Sequence, residues 1–269
     1  MSIEELDDEL ELEEKERVIS DTPILRIIDL TKKFGELIAV NKATFDVYQG
    51  EILGIIGPNG SGKTTLFNMI SGVLKPEEGE ILTKKNENIV GKSTTKIVKK
   101  HKIARTFQIV RPFKLLQALD NVTIPHIPKG LQSPKTLKTR SLTSLLEVDM
   151  GEKKNYPAAI LPHGDLKRLD FARALATDAE VLLLDEPYSG LSVEDSFRIT
   201  QLIKNANQEK GVTIMIVEHK LKLLANLVDR IVVLNQGKII AIGTPEEISK
   251  NQVVIESYLG KEASSIVSS

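Results

Sequence analysis

Eight residues, Gly57-Pro58-Asn59-Gly60-Ser61-Gly62-Lys63-Thr64, constrain this chain more than any other stretch. They follow an apolar run, Ile52-Leu53-Gly54-Ile55-Ile56, and open a segment, Thr64 to Gly72, in which Leu66, Met69 and Ile70 share one helical face. Strand, glycine-rich loop and helix in that order match G-x-x-x-x-G-K-[ST] in the context this phosphate-binding pattern requires. The glycines let backbone N–H groups turn inward around β- and γ-phosphates, and the helix N-terminus adds its partial positive charge. Lys63 neutralises the phosphates and the Thr64 hydroxyl is a ligand for Mg²⁺, so Gly57 through Thr65 is the expected nucleotide cradle.

The same alternation continues along the chain. Short apolar runs at Ile24 to Ile28 and Ala43 to Val47 precede the loop, and buried-strand runs return at Val181 to Leu184, Val212 to Val217 and Ile231 to Leu234. Helical stretches at Asp165 to Ala176 and Val193 to Gln208 lie between them. Strands alternating with helices predict an α/β fold whose core is a parallel sheet with flanking helices. Residues from about 115 to 165 lack strand signals and hold Pro125, Pro128, Pro134 and Pro157, with one helical pattern at Leu142, Leu145 and Leu146. That stretch is expected to be a helical subdomain inserted into the core. No internal repeat interrupts the scheme.

Composition removes several classes of function. The chain has no cysteine, which excludes disulfides and thiolate metal sites. Aromatic residues are 4% with no Trp, too few for a surface built to stack bases. The net charge of -1 conceals an asymmetry: Met1 to Arg17 carries nine acids against two bases, whereas Lys84 to Arg140 carries fourteen bases against Glu87 and Asp120. No nucleic-acid partner is expected from that balance. The acidic start is unlike a signal peptide, and no run approaches the roughly 18 apolar residues of a membrane span. Residues 1 to 22 are expected to be an acidic, flexible extension, 23 to 260 the folded domain, and 261 to 269 a flexible tail.

Val181 to Leu184 ends in Asp185-Glu186, which sets two carboxylates at the sheet edge where ligands of open α/β folds bind. Alone this is an ordinary acidic turn. Beside the phosphate loop, Asp185 is a candidate for the Mg²⁺ shell and Glu186 for polarising the attacking water. Gln108 follows an apolar run and His219 closes the strand Val212 to Val217 through Glu218; by spacing alone a Gln there is usually a surface residue and a His at a strand end is more often structural than functional. The Lys-rich helix from Thr94 to Lys102 reads as a solvated face, with anionic lipid headgroups as the alternative.

From about Ile24 to Gly260 the sequence resembles the ABC transporter ATPases. Within them it is most similar to the branched-chain amino-acid importer ATPases, in Gly57 to Gly72, in Ile103-Ala104-Arg105-Thr106-Phe107-Gln108 and in Ala172-Arg173-Ala174-Leu175-Ala176. The resemblance implies a small antiparallel β lobe near the N-terminus in which Phe34 stacks on adenine with Val40 beside it. It makes Gln108 the residue linking Mg²⁺ to the membrane partner, and His219 a γ-phosphate contact. ATP with Mg²⁺ is the implied cofactor pair.

In the same resemblance, Leu161-Pro162-His163-Gly164-Asp165 stands where the family has Leu-Ser-Gly-Gly-Gln, the segment that caps the γ-phosphate bound to the opposite subunit. Pro162 and Asp165 replace a hydroxyl and an amide; Asp165 is expected to cap the following helix and to bring negative charge toward that phosphate. Ser189-Gly190-Leu191-Ser192 ends in Ser where the family has Asp. The implied assembly is a homodimer, or a heterodimer with a homologous ATPase, on integral-membrane permease subunits at the cytoplasmic face of the membrane. An extracytoplasmic solute-binding protein is the indirect partner. Import of branched-chain or other amino acids is the implied task; a soluble non-transport ATPase of this family, or an exporter of an amphiphilic cargo, are the alternatives.

Overall fold

The computed structural model describes residues 19–127, 133–219 and 221–256. Most of the expected acidic extension, residues 1 to 18, and the expected tail, 261 to 269, lie outside the described residues. The first strand starts at Pro23.

Strands β1 (Pro23–Phe34) and β2 (Leu37–Tyr48) form an antiparallel hairpin, and β4 (Glu78–Thr83) pairs antiparallel with the other edge of β1. This three-stranded sheet is the small β lobe. The larger sheet has the order β5-β6-β7-β3-β8-β9, built from β3 (Ile52–Ile56), β5 (Ile103–Arg105), β6 (Val181–Asp185), β7 (Thr213–Val217), β8 (Arg230–Asn235) and β9 (Lys238–Gly243). All its pairings are parallel except β8 with β9.

The expected parallel sheet with flanking helices is present, with one antiparallel strand added at its edge. Gln236 and Gly237 both have positive φ, 47° and 77°, the geometry of a two-residue hairpin turn. β9 is only half-buried although Ile239 to Ile242 is an unbroken apolar run, so apolar run length alone does not tell this edge strand from a strand covered on both faces. By contrast β3, β6 and β7 are buried at every position, as strands covered on both faces must be.

Alternate residues of the buried strands divide the core in two. Ile52, Ile56, Leu182, Leu184, Ile214 and Ile216 face one way, toward helices α5 (His163–Leu175) and α6 (Val193–Gln208). Leu53, Ile55, Leu183, Met215 and Val217 face the other, against Ile27, Leu30 and Phe45 of the β lobe and Leu66, Phe67 and Ile70 of α1 (Lys63–Ile70). Helix α2 (Thr94–His101) precedes β5.

The inserted segment holds α3 (Ala118–His126) and α4 (Pro134–Leu146) before α5, with two short 3-10 turns between α4 and α5. Ser133 caps α4, accepting from Thr136 N, and Pro134 occupies its first turn. That cap and proline extend the helix well upstream of the Leu142 to Leu146 pattern. The remaining helices are α7 (Leu221–Leu224), α8 (Pro245–Lys250) and α9 (Gln252–Val254).

Candidate nucleotide-binding site

The carboxyl ends of β3, β6 and β7 lie side by side, since Ile55 and Asp185 both pair with Val217. The chain leaves β3 at Gly57, where a Cβ would sit 2.1 Å from Leu234 O, and enters α1 at Gly62, whose φ of +105° and 2.4 Å approach to Ala39 O exclude any side chain. Gly62 has no side chain with which to cap α1, so its first N–H groups are left to a ligand. Lys63 is buried and donates to Gly57 O at 2.6 Å and Pro58 O at 3.0 Å. Burial lowers its pKa, while Glu186, Asp185 and Glu218 pull the other way.

Ser61 Oγ is buried with no hydrogen-bond partner among the described residues. Asn59, Gly60 and Thr64 are exposed at the rim, with Pro58 and Thr65 half-buried. An orphaned buried hydroxyl, an uncapped helix start and a lysine held only by carbonyls fit an anionic phosphate ligand.

Asp185 ends β6 and is paired with Arg105, whose Nη2 donates to Asp185 Oδ2 at 2.6 Å. Arg105 also donates to Asn68 Oδ1 and Ser71 Oγ, and lies between the rings of Phe67 and Phe107 at 5.7 and 5.2 Å. Glu186 adopts φ +47° and donates its N–H to Val217 O at 3.0 Å. Its Oε2 accepts from Gln108 Nε2 at 2.7 Å, so two candidates 78 residues apart meet. Thr64, Gln108 and Asp185, the expected Mg²⁺ ligands, line one cleft of about 640 Å³ and offer hydroxyl, amide and carboxylate oxygens, the donors a hard cation takes. His219 is 45% exposed, with Nδ1 3.7 Å from Glu218 Oε2.

Phe34 ends β1, 48% exposed, with Lys32 Nζ 5.3 Å from its ring centre. Val40 is 0% exposed, and its Cγ2 lies 3.3 Å from where a Cβ on Gly62 would stand. Val40, expected beside the adenine-stacking Phe34, is buried and backs the phosphate loop. Gly237 reinforces the same loop, donating to Ser61 O and accepting from Asn41 N.

Pro162, His163, Gly164 and Asp165 start α5, on the inserted subdomain rather than beside α1. Pro162 and His163 are exposed, and His163 Nε2 lies 3.2 Å from Ser189 O. Gly164 packs against Asp195, whose carboxylate would have to shift to admit a Cβ that would otherwise meet its Cγ at 2.5 Å. Asp165 does not cap the helix. Its carboxylate is buried and ion-paired with both Arg168 and Lys153, so the expected negative charge facing a phosphate is already neutralised within the chain. Ser192 caps α6, accepting from Asp195 N at 3.1 Å and donating to Asp195 Oδ2 at 3.0 Å.

A family model described as "ABC transporter" matches residues 40–189, from the middle of β2 to the turn after Glu186. The chain belongs to the ABC transporter family. A second model, "Branched-chain amino acid ATP-binding cassette transporter", matches residues 238–264. Among similar proteins are the branched-chain amino-acid transport ATP-binding proteins LivG of Escherichia coli (strain K12), 37% identical over 89% of this chain and 98% of the relative, and BraF of Pseudomonas aeruginosa, at the same identity and coverage. Among solved structures, the ADP conformation of the cassette MJ1267 aligns with a TM-score of 0.79 at 30% identity, covering 89% of this chain and 99% of that one. The dimeric post-hydrolysis cassette MJ0796 bound to ADP and Pi aligns with a TM-score of 0.74 at 30% identity, covering 82% and 98%. This chain is therefore an ABC ATPase, the nucleotide-binding motor subunit of a transporter.

Three residues of this ABC ATPase that sequence reasoning passed over stand inside its site: Arg105 on Asp185, Lys167 beneath Gln108 and Glu186, and Glu218. A charged residue in an otherwise buried strand or helix face was their available signal. Glu218 is 1% exposed; burial pushes its pKa from 4.5 up to about 7, against hydrogen bonds from the Tyr188 and His219 N–H groups and with Glu186 pushing further up. Because the folded value is the higher one, its stabilising contribution is complete below about pH 4.5 and is lost as pH rises through about 7. Glu218→Gln should therefore gain stability over wild type by about 2–3 kcal/mol between pH 5 and pH 8. Urea unfolding at both pH values measures this, and a pH-independent difference would show that Glu218 does not titrate in that window.

Proposed function

We propose that this ABC ATPase powers import of branched-chain amino acids through separate permease subunits. The observation that carries the cargo is the match of residues 238–264 to the branched-chain cassette model, together with likeness to LivG and BraF along 98% of their length. ATP binds with its phosphates over Gly57 to Thr65 and its base on the exposed ring of Phe34, below which Val40 supports the loop. Lys63 leaves the carbonyls of Gly57 and Pro58 for the phosphates. Thr64, Gln108 and Asp185 hold Mg²⁺, which when bound draws charge from the β- and γ-phosphates.

Glu186 takes a proton from the attacking water, and the Gln108 amide orients its carboxylate. His219, at the end of β7, meets the γ-phosphate. Pro162, His163 and Gly164 close over the nucleotide of a second subunit, in a dimer of the kind solved for MJ0796. Asp165 serves that closure by fixing Lys153 and Arg168 beneath the loop.

No described helix is long and apolar enough to cross a membrane; likeness to transport ATP-binding proteins is what assigns the membrane path to partner subunits. Exposed Phe107 and Ile109 line the cleft that contains Gln108, and exposed Phe113 and Leu115 follow in the same loop, an apolar stretch suited to a permease segment at the cytoplasmic face. An extracytoplasmic solute-binding protein delivers the amino acid. Reconstituted in liposomes with its permeases and binding protein, the ATPase should be stimulated several-fold by leucine, isoleucine or valine. Stimulation by an unrelated solute and by none of these three would overturn the cargo reading.

A further inference from the structure

One face of α5 grips the loop that carries Gln108. Lys167, Asp170 and Arg173 recur at three-residue spacing and so share that face. Lys167 Nζ donates to Gln108 O at 3.0 Å, Asp170 Oδ2 accepts from Phe107 N at 3.4 Å, and Arg173 Nη1 donates to Arg111 O at 3.3 Å. Lys167 also reaches across to the strand end, donating to Glu186 O at 3.1 Å. It is buried at 6% exposure, and burial lowers its pKa against the pull of Asp170, Glu218, Glu186 and Asp185.

The backbone at Glu186 makes that second bond consequential. Its φ of +47° is a left-handed conformation that side-chain-bearing residues avoid, so it persists only where surrounding contacts over-determine it. Three bonds of its main chain do so: its N–H donates to Val217 O, and its carbonyl accepts from Ser189 N at 3.2 Å and from Lys167 Nζ. The same ammonium holds the carbonyl of Gln108, whose side chain donates to the Glu186 carboxylate.

We propose that Lys167 is a positioning residue for hydrolysis: it holds Gln108 and Glu186 together from the helix that begins with Pro162 to Asp165, so that displacement of α5 moves the hydrolytic pair directly. The inference rests on the reading of Glu186 and Gln108 as that pair. Lys167→Met removes the donor that the Gln108 and Glu186 carbonyls share, leaving Glu186 O with Ser189 N alone, and so lets Glu186 leave its strained geometry. Misplacement of such groups by about 1 Å can cost about 100-fold in rate.

The test compares the full chain with its Lys167→Met, Lys167→Arg, Arg173→Met and Glu186→Gln variants for ATP Kd, kcat at saturating ATP and Tm. Lys167→Met is expected to lower kcat about tenfold or more with ATP Kd within about twofold. Lys167→Arg, which keeps a cationic donor, should restore most of the loss. Arg173→Met, which frees only the loop, should lower Tm comparably with a much smaller change in kcat. A merely structural lysine would move Tm and leave kcat near wild type at temperatures where the protein is folded; that result, or equal kcat losses for Lys167→Met and Arg173→Met, would overturn the proposal. Should Lys167→Met fail to fold, Lys167→Gln, which can donate to one carbonyl, carries the same comparison, and a wild-type kcat there overturns it too. Glu186→Gln without turnover beside an active Lys167→Met removes only the positioning role, whereas an active Glu186→Gln removes the hydrolytic pair and the positioning role together.

Discussion

Glu186→Gln is expected to lower ATP turnover by at least about 100-fold while ATP still binds, because general-base catalysis contributes roughly 10² to 10⁴ in rate. The substitution preserves shape. Gln108 Nε2 donates at 2.7 Å to the Glu186 carboxylate, and an amide in the same place can turn its oxygen to accept that bond. What it cannot do is take a proton from water. It also removes a negative charge that acts on Lys63, so repulsion of the phosphates falls and ATP affinity should hold or tighten. With the γ-phosphate uncleaved, the closed dimer should accumulate. Phosphate release at saturating ATP and size-exclusion chromatography with and without ATP measure both effects. Turnover within about tenfold of wild type would take the base role from Glu186, and a monomer at saturating ATP would count against closure on the nucleotide.

Lys63→Ala is expected to weaken ATP binding by about 100-fold or more. The ammonium faces Asp185, Glu186 and Glu218, which keep it charged against the burial that lowers its pKa. Without it those carboxylates confront the phosphates uncompensated, and charge-assisted hydrogen bonds at roughly 1.5–3 kcal/mol each are lost. A loss of about 3 kcal/mol corresponds to about two orders of magnitude in Kd. The fold should survive, because α1 is anchored by Leu66, Phe67 and Ile70 in the core and Lys63 bonds only to the loop carbonyls of Gly57 and Pro58. Calorimetric titration with ATP, alongside circular dichroism to verify folding, is the measurement; unchanged affinity in a folded variant would refute phosphate binding by this loop.

Local chemistry carried the sequence a long way. The strand from Ile52 to Ile56, the loop from Gly57 and the helix from Lys63 are legible because glycine spacing, apolar runs and helical periodicity are properties of covalent neighbours. For the same reason Val181 to Asp185 and Thr213 to Val217 announce themselves as strands covered on both faces. β9 escapes that reading: Ile239 to Ile242 is as apolar as the buried strands, and its antiparallel edge position depends on the Gln236-Gly237 turn that returns the chain beside β8.

Side-chain partners are a different matter. Whether Asp165 faces a ligand or lies buried between Lys153 and Arg168 depends on how the inserted subdomain packs around α5. Val40 supports the phosphate loop because Gly62 brings that loop against it. Arg105 finds Asp185 across 80 residues, and Lys167 finds the carbonyls of Gln108 and Glu186 from a third element. The sequence by itself determined the phosphate loop, the carboxylates at the end of β6 and the strands that bury on both sides. Tertiary structure alone decided which charges neutralise one another, because burial makes an unpartnered charge or carbonyl costly and only the packed chain brings the compensating groups within reach.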